Sequence, residues 1–115
     1  MSELKSLAAE VIAFRDQRQW KQFHNAKDVS LSLLLEASEL VELFQWKQGQ
    51  EVDDVVTSKK TRVAEELADV LYYTLLLAHD LGIDLAQELR EKLKTNAAKY
   101  PVEKAMGSSK KYTEL

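Results

Sequence analysis

Apolar residues recur with a helical period along most of the chain. From Leu4 to Arg18 they lie three or four residues apart, as they do on one face of a helix. Asn25 and Asp28 come next, and either residue suits the N-cap of a second helix that runs to about Lys47. The pattern therefore predicts two amphipathic helices in the first half of the chain.

The middle of the chain is predicted to be a loop followed by a long helix. Residues 48–59 contain a glycine and a cluster of charges, which favours a loop. Thr57 or Ser58 then suits the N-cap of a third helix that reaches Leu81. Gly82 follows directly, where a helix commonly ends in the left-handed conformation.

A fourth helix and a polar tail complete the predicted fold. Asp84 and Gln87 have the spacing of a capping box, and Pro101 disfavours helical geometry in the residue before it. The pattern therefore predicts an all-α, four-helix bundle-like protomer. We expect residues 1–115 to form a single domain, with residues 101–115 as an extended C-terminal arm.

The third predicted helix also indicates assembly. Such a helix is usually buried all round, because its middle carries apolar residues on every side: Val70, Leu71, Tyr72, Tyr73, Leu75, Leu76, Leu77 and Ala78. A small four-helix monomer covers such a helix poorly, so we expect a homo-oligomer, a dimer or a tetramer. The alternative is that this helix is the central one of an intramolecular bundle.

Composition excludes several classes of protein. The chain has no cysteine, and therefore neither disulfides nor thiolate metal sites. Its net charge of −3 disfavours binding to a nucleic acid polymer. We find no apolar stretch long enough to cross a membrane and no signal-peptide pattern, which predicts a cytoplasmic protein.

The charges are segregated along the chain. Residues 28–69 carry ten acids and four bases, whereas residues 92–111 carry six lysines and one acid. An acidic centre beside a basic segment suits a polyanion that cations and lysines hold together.

Two pairs of carboxylates are the main candidates for chemistry. Glu36 and Glu39 lie three residues apart, as do Glu66 and Asp69, so each pair shares one helix face. Such a pair can bind one cation from one side while a second helix binds it from the other. The alternatives are a solvated acidic surface or buried ion pairs.

The neighbours of these acids favour the metal site. A solvated carboxylate is usually supported by Lys or Arg four residues later, but the residues at those positions are Leu40, Leu43, Val70 and Tyr73. Acids in apolar stripes need a cation or a partner, and Arg62 can pair with only one of them. An oxygen ligand set without histidine suits Mg²⁺, with Mn²⁺ possible.

The basic segment is a candidate phosphate site. Lys92, Asn96 and Lys99 share one helix face, and Lys110 and Lys111 follow in the tail. Taken alone, this segment is better explained by a solvated lysine face, but beside the carboxylates it suits a metal-bound phosphate. The two tryptophans, Trp20 and Trp46, suit either the core or a stacking surface for a base.

These residues resemble the motifs of a known family. The chain is similar to the all-α nucleoside triphosphate pyrophosphohydrolases of the MazG-like superfamily, in particular to its dCTP pyrophosphatase branch. The matching segments are WKQFHNAKD (20–28), LLLEASELVELFQWK (33–47), VAEELADVLYY (63–73), KLKTNAAKYP (92–101) and GSSKKYTEL (107–115). The ExxE…ExxD pattern is common to the superfamily, whereas LFQWK and KKYTEL are more specific to the branch.

The resemblance implies a function and a set of site residues. It implies a helical dimer-of-dimers that hydrolyses a deoxynucleoside triphosphate, dCTP or a modified dCTP, to the monophosphate and pyrophosphate with Mg²⁺. The implied magnesium ligands are Glu36, Glu39, Glu66 and Asp69. The implied substrate contacts are Trp20, His24 and Trp46 for the base, Lys92, Asn96 and Tyr100 for phosphate or sugar, and Ser108, Lys110 and Lys111 in the tail.

The implied mechanism is metal-assisted hydrolysis, in which Glu36 or Glu39 orients the water that attacks the α-phosphorus. One departure from the family is visible, because many relatives have Gly at position 37 or 38, where this chain has Ala37 and Ser38. Two alternatives stay open. One is a non-catalytic module that binds a magnesium–nucleotide complex, and the other is a purely structural helical oligomer.

Overall fold

The computed structural model describes residues 2–115, so that Met1 of the predicted domain lies outside the described residues. The helices are α1 (Glu3–Gln17), α2 (Ala26–Glu42), α3 (Gln50–Ser58), α4 (Lys60–Asp80), α5 (Leu85–Lys99) and α6 (Val102–Ala105), with 3₁₀ turns at Trp20–Phe23 and Tyr112–Glu114. No β-strand occurs between residues 2 and 115, which confirms the predicted all-α class. None of the helices in this range has both the length and the apolar character that a membrane crossing requires.

The chain folds as two compact units, one that ends at Gly82 and a second, Ile83–Leu115. In the first unit α4 is the central helix, and α1, α2 and α3 all pack against it, α2 most extensively. The buried apolar core of this unit consists of Val29, Val55, Leu75, Leu76 and Ala78. Three of these five residues belong to α4, as its apolar middle predicts.

Side-chain caps define the starts of the predicted second and fourth helices. The Asn25 side chain accepts a hydrogen bond from the backbone N–H of Asp28 at 2.8 Å, so Asn25 is the N-cap of α2. The Asp84 side chain accepts from the N–H of Gln87 at 3.1 Å and caps α5. Helix α5 ends at Lys99, before Pro101, as predicted. These caps are local interactions and can therefore be read from the sequence.

The predicted loop at residues 48–59 is wrong. The structure has helix α3 at Gln50–Ser58, because Val52, Val55 and Val56 form a short apolar face and Val55 is buried at 5 % exposure. Packing against α4 therefore offsets the weak helix propensity of this valine-rich segment.

The boundaries beside α3 also differ from the prediction. Helix α2 ends at Glu42, not near Lys47. Thr57 and Ser58 do not cap α4: their hydroxyls donate to the carbonyls of Asp53 at 3.1 Å and Asp54 at 2.7 Å, within the last turn of α3. Serine and threonine hydroxyls bond in this way to the preceding turn of a helix as readily as they cap the next one.

The second unit contains α5, α6 and the terminal 3₁₀ turn. Its C-terminal end folds back on the end of α5, where the rings of Tyr100 and Tyr112 meet edge to face at 6.0 Å. The ammonium of Lys99 lies 4.9 Å from the centre of the Tyr112 ring. The predicted arm, residues 101–115, thus contains a short helix and a turn, and these aromatic contacts hold it within its own unit. That residues 1–115 act as one domain stays a prediction.

Candidate metal and nucleotide site

Three of the four predicted carboxylates converge between α2 and α4. One oxygen from each of Glu36, Glu39 and Glu66 lies within 4.8 Å of the other two. The helical spacing of Glu36 and Glu39 and the close packing of α2 on α4 bring the acids together. Three carboxylates this close repel one another strongly unless a cation or protons compensate them.

Two oxygens of this cluster are buried without a partner. Nη2 of Arg62 lies 2.9 Å from Oε1 of Glu66. This is the one ion pair that the sequence analysis allowed Arg62 to form with the four acids. The other oxygen of Glu66, Oε2, and Oε2 of Glu36 are buried and receive no hydrogen bond from the described residues. Buried carboxylate oxygens without donors are the acceptors that a hard cation requires.

The pKa values of the cluster reflect this lack of compensation. Burial, followed by the neighbouring carboxyl group of Glu39, raises the pKa of Glu36 to about 7. Burial and Glu39 likewise raise the pKa of Glu66, although Arg62 opposes that shift. Both shifts have the direction expected for carboxylates crowded in a partly dry site.

The fourth carboxylate is not part of this trio, although its charge contributes to the raised pKa values of Glu36 and Glu66. Asp69 is exposed and lines the neighbouring cavity with Glu36, and Glu39 is exposed as well. The expectation that all four acids sit in apolar surroundings therefore holds for Glu36 and Glu66 only. Residues three apart on a helix differ by about 60° in direction, so the second member of each pair turns toward the open side.

An aromatic cavity of about 480 Å³ opens beside the carboxylates. Its lining consists of Glu10, Val11, Phe14, Trp20, Glu36, Asp69, Tyr72 and Tyr73. Ligand pockets commonly combine apolar and aromatic walls with a few polar groups in this way. The cavity and the carboxylate cluster share Glu36, so a single ligand can contact both.

The aromatic wall is held by edge-to-face contacts. The Phe14 ring lies 5.8 Å from Trp20 and 6.1 Å from Tyr72, and Tyr72 lies 5.0 Å from Tyr73. The Arg18 guanidinium lies over the Phe14 ring, 3.7 Å from its centre. These contacts fix the orientation of flat surfaces suited to stacking.

The predicted base contacts occupy different places. Trp20 lines the cavity, whereas His24 and Trp46 do not. His24 is half-buried with an unpartnered Nδ1, and Trp46 is 88 % exposed. Trp46 also has a positive φ of 68°, a conformation that costs a non-glycine residue roughly 1–2 kcal/mol. An exposed tryptophan in a strained conformation marks a position where function is worth testing.

The predicted phosphate contacts all belong to the second unit. Lys92 is exposed on α5 and Asn96 is half-buried one turn later. Tyr100 caps the end of α5, and its N–H donates to the Asn96 carbonyl at 2.8 Å. The tail residues Ser108, Lys110 and Lys111 are exposed, and the Ser108 hydroxyl accepts from the N–H of Lys110 at 3.2 Å.

Sequence reasoning missed the α1 side of the cavity and the ion pair behind it. Arg15 is 1 % exposed and donates through both guanidinium nitrogens to Asp80, at 2.8 and 2.9 Å. Hydrogen bonding to Arg15 lowers the pKa of Asp80. A signal was present, because Arg15 follows Val11 by four residues and so falls on the apolar stripe of α1.

Comparison with known proteins agrees with the motifs. The MazG-like family matches residues 31–115, which is most of the chain. The chain belongs to the MazG-like family. This confirms the resemblance that the sequence motifs indicated.

Individual MazG-like relatives cover the whole chain. It is 42 % identical to dCTP pyrophosphatase 1 of Mus musculus and 41 % identical to dCTP pyrophosphatase 1 of Homo sapiens, over 100 % of this chain and 67 % of each relative. Among solved structures, a pyrophosphatase from Archaeoglobus fulgidus superimposes with a TM-score of 0.84 at 34 % identity. That superposition covers 88 % of this chain and 94 % of the archaeal one.

Proposed function

We propose that this protein hydrolyses dCTP, or a base-modified dCTP, to the monophosphate and pyrophosphate. The observation that carries the proposal is the carboxylate cluster of Glu36, Glu39 and Glu66, which opens beside an aromatic cavity large enough for a pyrimidine nucleoside. Relatives at 41–42 % identity along the entire chain are dCTP pyrophosphatases. The chain is thus a nucleoside triphosphate pyrophosphohydrolase.

The carboxylates fit a magnesium ion. The unpartnered oxygens of Glu36 and Glu66 and the converging oxygen of Glu39 are hard donors, and no cysteine or histidine lies among them. We assign Glu36, Glu39, Glu66 and the adjacent Asp69 as ligands of Mg²⁺, with Mn²⁺ able to replace it. When bound, the ion neutralises phosphate charge and lowers the pKa of water.

The protein's own groups position the reactants. The water oxygen forms a bond to the α-phosphorus, and the bond from that phosphorus to the pyrophosphate oxygen breaks. Glu36 or Glu39 orients the water and accepts its proton at a carboxylate oxygen. The stacking wall that includes Trp20 holds the base, and the close neighbourhood of wall and cluster sets the distance between base and triphosphate.

The remaining predicted contacts complete the substrate site in this proposal. His24 and Trp46 contact the base, and the basic second unit contacts phosphate and sugar through Lys92, Asn96, Tyr100, Ser108, Lys110 and Lys111. Lysines near a triphosphate stabilise the negative charge that moves to the leaving pyrophosphate. Each role is tested by substitution, with KM expected to rise more than kcat falls for the base contacts.

We also infer a homo-oligomer, a dimer or a tetramer. Leu31, Leu34 and Leu35 on α2 are more than half exposed, and Leu67 and Leu71 on α4 are 52 % and 42 % exposed. Exposed leucines grouped along two adjacent helices are typical of a subunit interface. Sedimentation equilibrium of the wild type and of Leu34→Glu tests this inference, and a monomeric wild type contradicts it.

A cytoplasmic location follows from the proposed substrate, because deoxynucleoside triphosphates are intracellular metabolites. Polymeric nucleic acid is not an expected partner, since the acidic centre would repel its phosphates. Incubation with duplex DNA at low salt should therefore give no shift in a gel.

The decisive experiment is a panel of canonical and modified deoxynucleoside triphosphates with Mg²⁺, read by nucleoside monophosphate formation. The double variant Glu39→Gln with Asp69→Asn should lose nearly all turnover. Its control is Glu65→Gln, which removes an exposed charge next to Glu66.

The two alternatives give different results in this panel. A non-catalytic module binds dCTP with Mg²⁺ but forms no monophosphate. A structural oligomer shows no change in melting temperature with Mg²⁺ and dCTP, whereas a ligand at 100 times its Kd stabilises by about 2.7 kcal/mol. Wild-type rates in the double variant would contradict the assigned site.

A further inference from the structure

The cavity has an acidic group that the metal site does not use. Among the described residues that line it, Glu10 on α1 is the carboxylate outside the two pairs of α2 and α4. It lies one turn before Phe14, which forms part of the aromatic wall. No ion pair involves Glu10 within the described part of the chain.

The chemistry of the lining makes this carboxylate an acceptor for the ligand. The cavity walls are aromatic or aliphatic apart from the acids, and neither Lys nor Arg is among the residues that line it. Glu10 is itself exposed at the edge of this lining, and no basic side chain of the lining occupies its acceptor oxygens. A carboxylate in this setting favours a ligand that brings N–H donors and disfavours one that brings a carbonyl oxygen.

A pyrimidine presents this choice at position 4. Cytosine carries an exocyclic amino group there, which donates to Glu or Asp side chains in other recognition sites, whereas uracil and thymine carry an acceptor oxygen. Position 4 lies across the ring from the sugar. The inference requires the triphosphate at the carboxylate cluster and the ring on the aromatic wall, with this edge toward α1, where Glu10 lines the same cavity.

We propose that Glu10 selects the base by accepting a hydrogen bond from the 4-amino group of cytosine. This inference rests on the proposed function and adds a specificity-determining residue to it. Methylation at position 5 leaves the amino group in place, so Glu10 admits 5-methylated dCTP equally. It discriminates against dUTP and dTTP, because their O4 and the ionised carboxylate are both hydrogen-bond acceptors and repel each other.

The experiment compares three substrates in the magnesium-loaded protein. These are dCTP, dUTP and the 2-pyrimidinone analogue, which lacks only the 4-amino group. In the wild type we expect kcat/KM for dCTP to exceed that for the analogue by about tenfold, since a charge-assisted hydrogen bond typically supplies this factor. The preference over dUTP should be larger, because dUTP adds repulsion.

The variant Glu10→Ala should lower the dCTP-to-analogue ratio to about twofold or less, because the acceptor is gone. The variant Glu10→Lys should shift the preference toward dUTP, whose O4 accepts from the ammonium. The matched control is Glu3→Ala, an exposed acid on the same helix that does not line the cavity. It removes the same charge and should keep the wild-type ratio.

The outcomes separate this inference from the proposed function. If Glu10→Ala hydrolyses dCTP but keeps the wild-type ratio, the role of Glu10 is overturned while the activity stands. An equal drop of the ratio in Glu3→Ala points to general charge and also overturns it. If the wild type hydrolyses no deoxynucleoside triphosphate, the proposed function fails and this inference fails with it.

Discussion

Two acids of helix α4 differ in how far neighbouring side chains compensate their negative charge. Asp80, at its C-terminal end, accepts two hydrogen bonds from the buried Arg15, and its pKa is lowered. Glu66, near the start of α4, is 4 % exposed, and its Oε2 receives no hydrogen bond within the described residues. The pKa of Glu66 is raised, although Arg62 contacts its other oxygen.

The difference separates structure from function. A carboxylate that meets its counter-charge in a two-bond pair holds two helices together, here α1 and α4, although Nε of Arg15 has no hydrogen-bond partner within the described residues. A buried charge left incomplete destabilises the fold unless a ligand completes it. We expect substitutions at the first kind of site to change stability, and those at the second kind to change activity.

The largest effect is expected from Glu66→Gln. The amide keeps the shape of the side chain but removes the charge, so kcat/KM should fall by about 1,000-fold, equivalent to roughly 4 kcal/mol of transition-state stabilisation. The melting temperature in a chelator should not fall. Monophosphate formation and thermal melting measure the two effects, and Glu65→Gln should match the wild type in both. A Glu66→Gln protein with a much lower melting temperature but a wild-type kcat/KM would show that Glu66 serves stability and not activity.

Asp80→Asn should show the opposite pattern. Removing one partner of a largely buried ion pair leaves Arg15 without its counter-charge, and we expect a loss of about 2–3 kcal/mol in the free energy of unfolding. Urea denaturation measures this loss, and kcat below the melting range should change less than about twofold. The control is Asp16→Asn, because Asp16 lies 3.9 Å from the same arginine and is 59 % exposed. An exposed partner of this kind contributes at most about 1 kcal/mol.

Much of the fold can be predicted from local signals. The caps at Asn25 and Asp84 and the stop before Pro101 depend on neighbouring residues only, and the structure has all three. Helix α3 could not be predicted in the same way, because its stability depends on burying Val55 against α4, a contact between distant parts of the sequence.

The site residues show the same difference between local and long-range signals. Spacing on single helices identified the two carboxylate pairs, and the packing of α2 on α4 then brought Glu36, Glu39 and Glu66 together. The α1 wall with Glu10 and Phe14 was not predicted, because nothing local tells which face of α1 borders the cavity. Arg15 on an apolar stripe was the one local hint of the long-range pair with Asp80.

The dependence of stability on acidic pH also tests the ion pair of Arg15 and Asp80, with a smaller expected effect. The folded pKa of Asp80 lies below the unfolded value, so the folded state holds fewer protons at this group. The contribution of Asp80 to the free energy of unfolding is therefore complete above the unfolded pKa, near 4, and is lost as the pH falls through the folded pKa. Unfolding free energies from pH 6 down to pH 2 should decline less steeply in Asp80→Asn than in the wild type. Equal slopes would mean that the pair contributes nothing that titrates.

The smallest effect is expected from Glu36→Gln in metal-free buffer, and its sign is informative. Glu36 is half-buried beside Glu39 and Glu66, so removing its charge relieves both repulsion and the cost of burial. The variant should melt a few degrees higher than the wild type in a chelator, and this advantage should vanish or reverse when Mg²⁺ is added. Glu42→Gln, an exposed acid on the C-terminal end of α2, should melt like the wild type under both conditions. A lower melting temperature for Glu36→Gln without metal would show that Glu36 has a partner in the fold, as Asp80 does, and would remove the reason for treating the cluster as incomplete.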